Sequence, residues 1–207
     1  MYLRPLSQTL VLALCCAPFA ISQEAPSSSS SKNAKPEQHV KREASAPEGV
    51  YRNAEFGFTY RTIVGWVDRT KDMQEGAGSG SVLLAVFERP PDAIGDTVNS
   101  AVVIAQESAA SYPGLKTAAD YVDPLTELVT NKGFKASGDA YEMEVGTKTL
   151  VRCDFTRDSK PPMWQSTLVF LQKNSIVSFT FLGGSADEVD ALIEHLSFAV
   201  KRTSTTK

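Results

Sequence analysis

The feature that most constrains this chain is apolar alternation with a period of two, recurring in six short stretches between residues 51 and 182. Phe56, Phe58 and Tyr60 share one face after a turn at Asn53, which Tyr51 leads into. Ser81 to Glu88 is a near-continuous apolar run stopped by Pro90 and Pro91, and Ser100 to Gln106 is a second, rich in Val and Ile. Lys148 to Phe155 alternates after a turn at Gly146. Thr167 to Leu171 and Ile176 to Leu182 read as a hairpin joined across Lys173-Asn174, because Asn tolerates a left-handed backbone. Side chains on successive strand residues point to opposite faces, so these patterns specify strands with buried faces. Short turns between neighbouring strands make the pairs antiparallel.

Two stretches switch to helical spacing. Ser185-Ala186-Asp187-Glu188 has the form of a capping box, in which Ser accepts the amide three residues on and Glu reaches back. Val189, Leu192, Ile193 and Leu196 then fall at i, i+3, i+4 and i+7 and form one apolar stripe. A second helix is predicted over Thr117 to Asn131, with Leu125, Leu128 and Val129 inward and Gly133 as its stop. Pro124 either kinks that helix or occupies the first turn of a shorter one capped by Asp123. Sheet faces need cover and two amphipathic helices can supply it, which defines an α+β layered domain.

The ends of the 207-residue chain differ in character from its middle. Residues 1–22 combine Arg4, an apolar run from Leu6 to Ala20 and the small residues Ala20 and Ser22, the order of an export signal. The run is broken by Ser7, Gln8, Thr9 and Pro18, whereas spanning a membrane takes about 20 consecutive apolar residues. Leu12-Ala13-Leu14-Cys15 has the outline of a lipid-attachment box, but Leu14 is not small. Lipid anchoring at Cys15 or Cys16 is therefore the minor alternative. Residues 23–48 hold five consecutive serines (Ser27 to Ser31) and Pro26, Pro36 and Pro47, with Val40 as the one large aliphatic residue. Such a segment buries too little apolar surface to offset its chain entropy and reads as a tether. The domain is expected over 49–202, with 203–207 as a tail. After signal cleavage no spanning segment is expected, and the product would be periplasmic or secreted.

The opening pattern Tyr51-x-Asn53-x-x-Phe56-Gly57-Phe58-x-Tyr60, followed by Gly65-Trp66, resembles the first hairpin of the PsbP/Mog superfamily. That family includes the extrinsic photosystem protein PsbP, the nuclear Ran-binding Mog proteins and many exported bacterial proteins. The mid-chain helix around Ala118 to Val129 and the ending Leu196-Ser197-Phe198 are similar to it as well. Thr62, Ile63 and Val64 stand where members often carry Pro shortly before the Gly-Trp pair. The resemblance covers residues 49–202 and implies an α/β/α sandwich with a central antiparallel sheet and a non-catalytic role. It implies no particular partner, because one fold serves many functions.

Several residues could carry chemistry, and each has a plainer reading. Gly76-Ala77-Gly78-Ser79-Gly80 suggests a phosphate loop, but such loops open a helix and are followed by Lys, whereas a strand begins here near Ser81. Cys153 alternates with Val151 and Phe155, which places it on a buried strand face rather than beside an activating base. His39 lies alone in the tether. His195 falls off the helix stripe and adjoins Glu194, whose side chain points about 100° away, so no relay forms. Glu142 and Glu144 share a strand face near Asp139 and could act as acid and base, although exposed carboxylates also protect sheet edges. Asp187, Glu188 and Asp190 suit a helix N-terminus, and Asp92 and Asp96 lack the spacing of a calcium loop. Trp66 and Trp164 could anchor a partner if exposed, but fit the core.

No catalytic, cofactor-binding or metal-binding residue is therefore assigned, and no cofactor is expected. With 21 Lys and Arg against 24 Asp and Glu and no basic cluster, nucleic acid is not an expected partner. The reading is an exported, non-catalytic binding or assembly-support protein whose partner is a protein of the cell envelope. A hydrolase using Glu142 and Glu144 would need the two acids to converge in a concave pocket. A small-ligand or lipid binder would need an apolar cavity between sheet and helix of at least about 300 Å³.

Overall fold

The computed structural model describes residues 49–75 and 80–198. The expected signal and tether, with Cys15, Cys16 and His39, lie outside them, as do Gly76 to Ser79 of the Gly-rich run and the tail. Among the described residues, eleven strands and three α-helices follow in chain order. They are β1 (Val50–Asn53), β2 (Phe58–Arg61), β3 (Val67–Asp68), α1 (Thr70–Glu75), β4 (Ser81–Phe87), β5 (Ala101–Ser108) and α2 (Val122–Thr130). After these come β6 (Lys135–Ala136), β7 (Tyr141–Val145), β8 (Lys148–Arg157), β9 (Met163–Gln172), β10 (Ser175–Gly183), α3 (Ala186–Ile193) and β11 (Leu196–Phe198).

The main sheet runs β3-β4-β5-β10-β9-β8-β6, with β7 paired to β8 beside β6, and every pairing is antiparallel. Its hairpins follow from turn chemistry. Lys173 and Asn174 both adopt positive φ (51° and 60°), the two-residue turn whose twist matches the strands, and Gly146 takes φ 60° between β7 and β8. Alternation then sorts side chains between the faces. Val102, Ile104, Leu168, Phe170, Phe179 and Phe181 pack on one side beneath α3, while Val151, Cys153, Phe155, Val169 and Ile176 pack on the other beneath α2. This is the expected α+β sandwich with a central antiparallel sheet.

The α3 layer contains an element the alternation did not predict. β1, β2 and β11 form a separate three-stranded antiparallel sheet. It lays Phe58 and Phe198 on Phe179, with ring centroids 4.9 Å and 6.1 Å from it. Strands of three or four residues carry too little pattern to show which sheet they join. Gly57, at φ 74°, makes the tight turn that brings Phe56, Phe58 and Tyr60 onto this core.

Both helices depart from expectation in detail. Ser185 Oγ accepts the Glu188 amide at 3.1 Å, as a cap should. The Glu188 carboxylate, however, reaches past Ser185 to accept the Gly184 amide at 2.8 Å and the Ser100 hydroxyl. The reason is lateral: Leu182 pairs with Ala101, so the start of β5 lies against the start of α3 and supplies a stronger partner. Ser185→Ala should lower stability by about 1 kcal/mol, read as a shift of the urea midpoint. The second helix is shorter than the expected 117–131. A 3₁₀ turn at Ala119–Tyr121 leads into α2, whose first turn contains both Asp123 and Pro124. Asp123 is not the cap. The preceding turn is fixed instead by Asp120, whose carboxylate accepts the amides of Lys116 and Thr117 at 2.9 Å and 2.8 Å.

Candidate functional site

The α2 face of the sheet contains a cavity of about 280 Å³. Its cause can be read from the floor. Period two turns Ala101, Val103, Ala105 and Glu107 of β5 toward α2, and the register sets Thr180 opposite Val103 and Ser178 opposite Ala105. The large β10 residues Val177, Phe179 and Phe181 go to the other face. Five short side chains therefore lie where α2 crosses, and Leu125, Leu128 and Val129 in the roof do not reach down far enough to fill the gap. The volume falls slightly below the ~300 Å³ at which ligand pockets begin. Most of its lining surface is apolar, with polar groups contributed at the two ends and by Ser178 and Thr180 of the floor.

The two ends of the cavity differ in charge state and in satisfaction. At the N-terminal end of α2, Glu107 is buried and accepts the hydroxyls of Tyr112 and Tyr121 at 2.5 Å and 2.8 Å. The two rings meet edge to face at 5.0 Å. Burial, reinforced by the Glu107 carboxylate, pushes both phenols well above the ordinary tyrosine range, so they remain donors. At the C-terminal end, Arg157, Met163, Gln165 and Phe134 form the wall. The Arg157 guanidinium lies 5.0 Å over the Phe134 ring and donates from Nη2 to the Met163 thioether, a weak acceptor. Its Nε is buried and makes no hydrogen bond. Among the described residues no carboxylate lies within ion-pair distance of Arg157.

The residues singled out from the sequence lie elsewhere. Cys153 is 4% exposed in the α2-side core, and burial raises its thiol from 9.0 to about 11. A thiol held neutral by the fold should resist alkylation. Iodoacetamide at pH 8 should leave the Cys153 peptide unmodified in the native chain and modify it in urea, as mass mapping would show. His195 is less exposed than its place off the stripe predicts. Its Nδ1 lies 2.7 Å from the Arg61 carbonyl, and its own carbonyl accepts the Arg61 amide, which joins β2 to the end of α3. Glu142, Glu144 and Asp139 are exposed and lie outside the cavity lining, so the convergent acids a hydrolase would need are not formed there.

Asp190 does more than suit a helix dipole. Arg152 pairs with it at 2.7 Å and with Asp154 at 2.9 Å, and this cluster, with Ser166, pins α3 to β8 and β9. Trp66 and Trp164 are both partly buried against the α3-side core. Asp92 and Asp96 are exposed, and Gly80 leads directly into β4. Among the described residues no three His, Cys, Asp or Glu side chains gather as a metal site, and no helix is long and apolar enough to cross a membrane. The cavity residues Ala101, Ala105, Ser178, Glu107 and Arg157 were not candidates from the sequence. The available signal was the contrast between the two faces of β10, one carrying Val177, Phe179 and Phe181 and the other breaking its apolar run with Ser178 and Thr180.

No protein-family model and no curated protein matches the chain. Among solved structures it is similar to cyanobacterial PsbP from Synechocystis sp. PCC 6803, at 15% identity and a TM-score of 0.47, covering 72% of this chain and 91% of that one. It is similar to the Ran-binding protein Mog1p of Saccharomyces cerevisiae at 11% identity and a TM-score of 0.42, covering 70% and 80%. It is also similar to LpqN, involved in cell envelope biogenesis of Mycobacterium tuberculosis, at 10% identity and a TM-score of 0.37, covering 69% and 83%. Likeness at this level concerns the path of the chain, and nothing about function follows from it.

Proposed function

We propose that the chain is an exported, non-catalytic binding protein, and that a small, largely apolar molecule occupies the space beneath α2. The observation that carries this is the cavity itself, floored by Ala101, Val103, Ala105, Ser178 and Thr180 and roofed by Leu125 and Val129. Export is supported by the order of charged, apolar and small residues over 1–22, and the Ser/Pro-rich 23–48 would give the domain reach. The neutral fluorophore N-phenyl-1-naphthylamine should bind the full chain saturably. Ala105→Leu, which fills the floor, should abolish that binding while leaving the far-ultraviolet circular dichroism unchanged. A wild-type chain that gives no saturable signal contradicts the reading.

A protein partner in the cell envelope is the second reading. It is favoured by Val64 and Ile94, which are 89% and 101% exposed on the segments flanking β3 and β4. Cross-linking in envelope extracts should recover one specific protein, and Val64→Asp with Ile94→Asp should abolish it. An unchanged product would remove this reading.

A further inference from the structure

We infer that the cavity beneath α2 selects a monoanionic amphiphile, a medium-chain carboxylate in type, with its head at Arg157 and its chain along Ala101, Val103 and Ala105. The inference rests on the proposed binding role and adds the chemistry of the ligand. Three observations lead to it. Between the two ends the lining is mostly apolar, broken by the hydroxyls of Ser178 and Thr180, the second already paired with Thr167, so the body of the ligand is largely apolar. One end already has a carboxylate, Glu107, whose two hydroxyl donors satisfy it and whose charge repels a second anion. The other end has a guanidinium with a buried, unbonded Nε, an aromatic face and a thioether around it, and no carboxylate partner among the described residues. Leaving a buried donor unpaired is unfavourable, and a carboxylate is the acceptor whose geometry a guanidinium matches best.

A cavity of about 280 Å³ has room for a short chain rather than a full membrane lipid. Length, charge and polarity therefore make octanoate a fitting probe and 1-octanol its uncharged control.

The test is competition against N-phenyl-1-naphthylamine bound to the full chain. Octanoate should displace the fluorophore at a concentration about tenfold lower than 1-octanol, the size expected of one charge-assisted hydrogen-bonded contact. Acetate, which has the head without the chain, should not displace it. Arg157→Leu should remove the preference for octanoate over 1-octanol, each read against that variant's own affinity for the fluorophore, and Arg157→Lys should restore part of the preference. Equal displacement by octanoate and 1-octanol in the wild-type chain overturns the inference, and needs no variant to fold. So does an undiminished octanoate preference in Arg157→Leu. Absence of fluorophore binding in the wild-type chain is a different failure, because it removes the cavity as a binding site altogether.

Discussion

Phe179→Ala should cost about 3–5 kcal/mol, the range of a buried phenylalanine truncated in a close-packed core. Phe179 has no exposed surface and is the ring on which the two sheets meet. Phe58 of β2 stands edge-on to it at 4.9 Å, Phe198 of β11 at 6.1 Å, and Phe170 of β9 stacks beside it at 5.9 Å. Truncation removes those contacts together and leaves a void between layers that cannot collapse without moving a strand. Folded domains hold only ~5–15 kcal/mol in reserve, so the variant should unfold at a much lower urea concentration. Phe179→Leu keeps most of the volume and should cost less than half as much. A loss below about 1 kcal/mol for the alanine variant would mean that the small sheet does not depend on this packing.

Glu107→Ala should cost about 2–3 kcal/mol, by leaving two tyrosine hydroxyls without an acceptor. Tyr121 is 2% exposed, so its hydroxyl has no water to turn to, whereas Tyr112 is half-buried and recovers part of its loss. Glu107→Gln retains an acceptor oxygen and should cost about 1 kcal/mol. Urea titration of the three proteins distinguishes a satisfied carboxylate from a merely tolerated one. The two tyrosines, with Cys153, also make the fold sensitive to alkali. Cys153, Tyr112 and Tyr121 all have their deprotonation raised by burial, so the folded chain keeps protons that the unfolded chain releases. Their support is intact below the ordinary thiol and phenol values, and is lost progressively as pH rises from about 9 to about 11 for Cys153 and from about 10 upward for the tyrosines.

Long strands were legible because each of β5, β8, β9 and β10 carries at least eight residues of pattern. Lys173-Asn174 and Ser185 were legible for another reason: their chemistry is local and needs no knowledge of the rest of the chain. What escaped was non-local. β11 has three residues, and nothing in Leu196-Ser197-Phe198 shows that Phe58 will be its neighbour. Glu188 was expected to bond its own cap, because Ser100 lies 88 positions away in sequence. The cavity escaped for the same reason. Ala105 and Ser178 are unremarkable until the β5–β10 register sets them side by side under a helix. Nothing in the sequence links Glu107 with Arg157, and their positions at opposite ends of one largely apolar space come from the strand order alone.

The central claim is that the space beneath α2 takes up a ligand, and methyl NMR of the full chain titrated with N-phenyl-1-naphthylamine tests it most directly. Ring currents from the bound probe should shift the methyls of Ala101, Val103, Ala105, Leu125 and Val129 saturably and in parallel. The methyls of Leu168, Val177 and Val189, on the opposite face, should stay in place. No saturable shift, or shifts centred on the α3 face, would contradict the account.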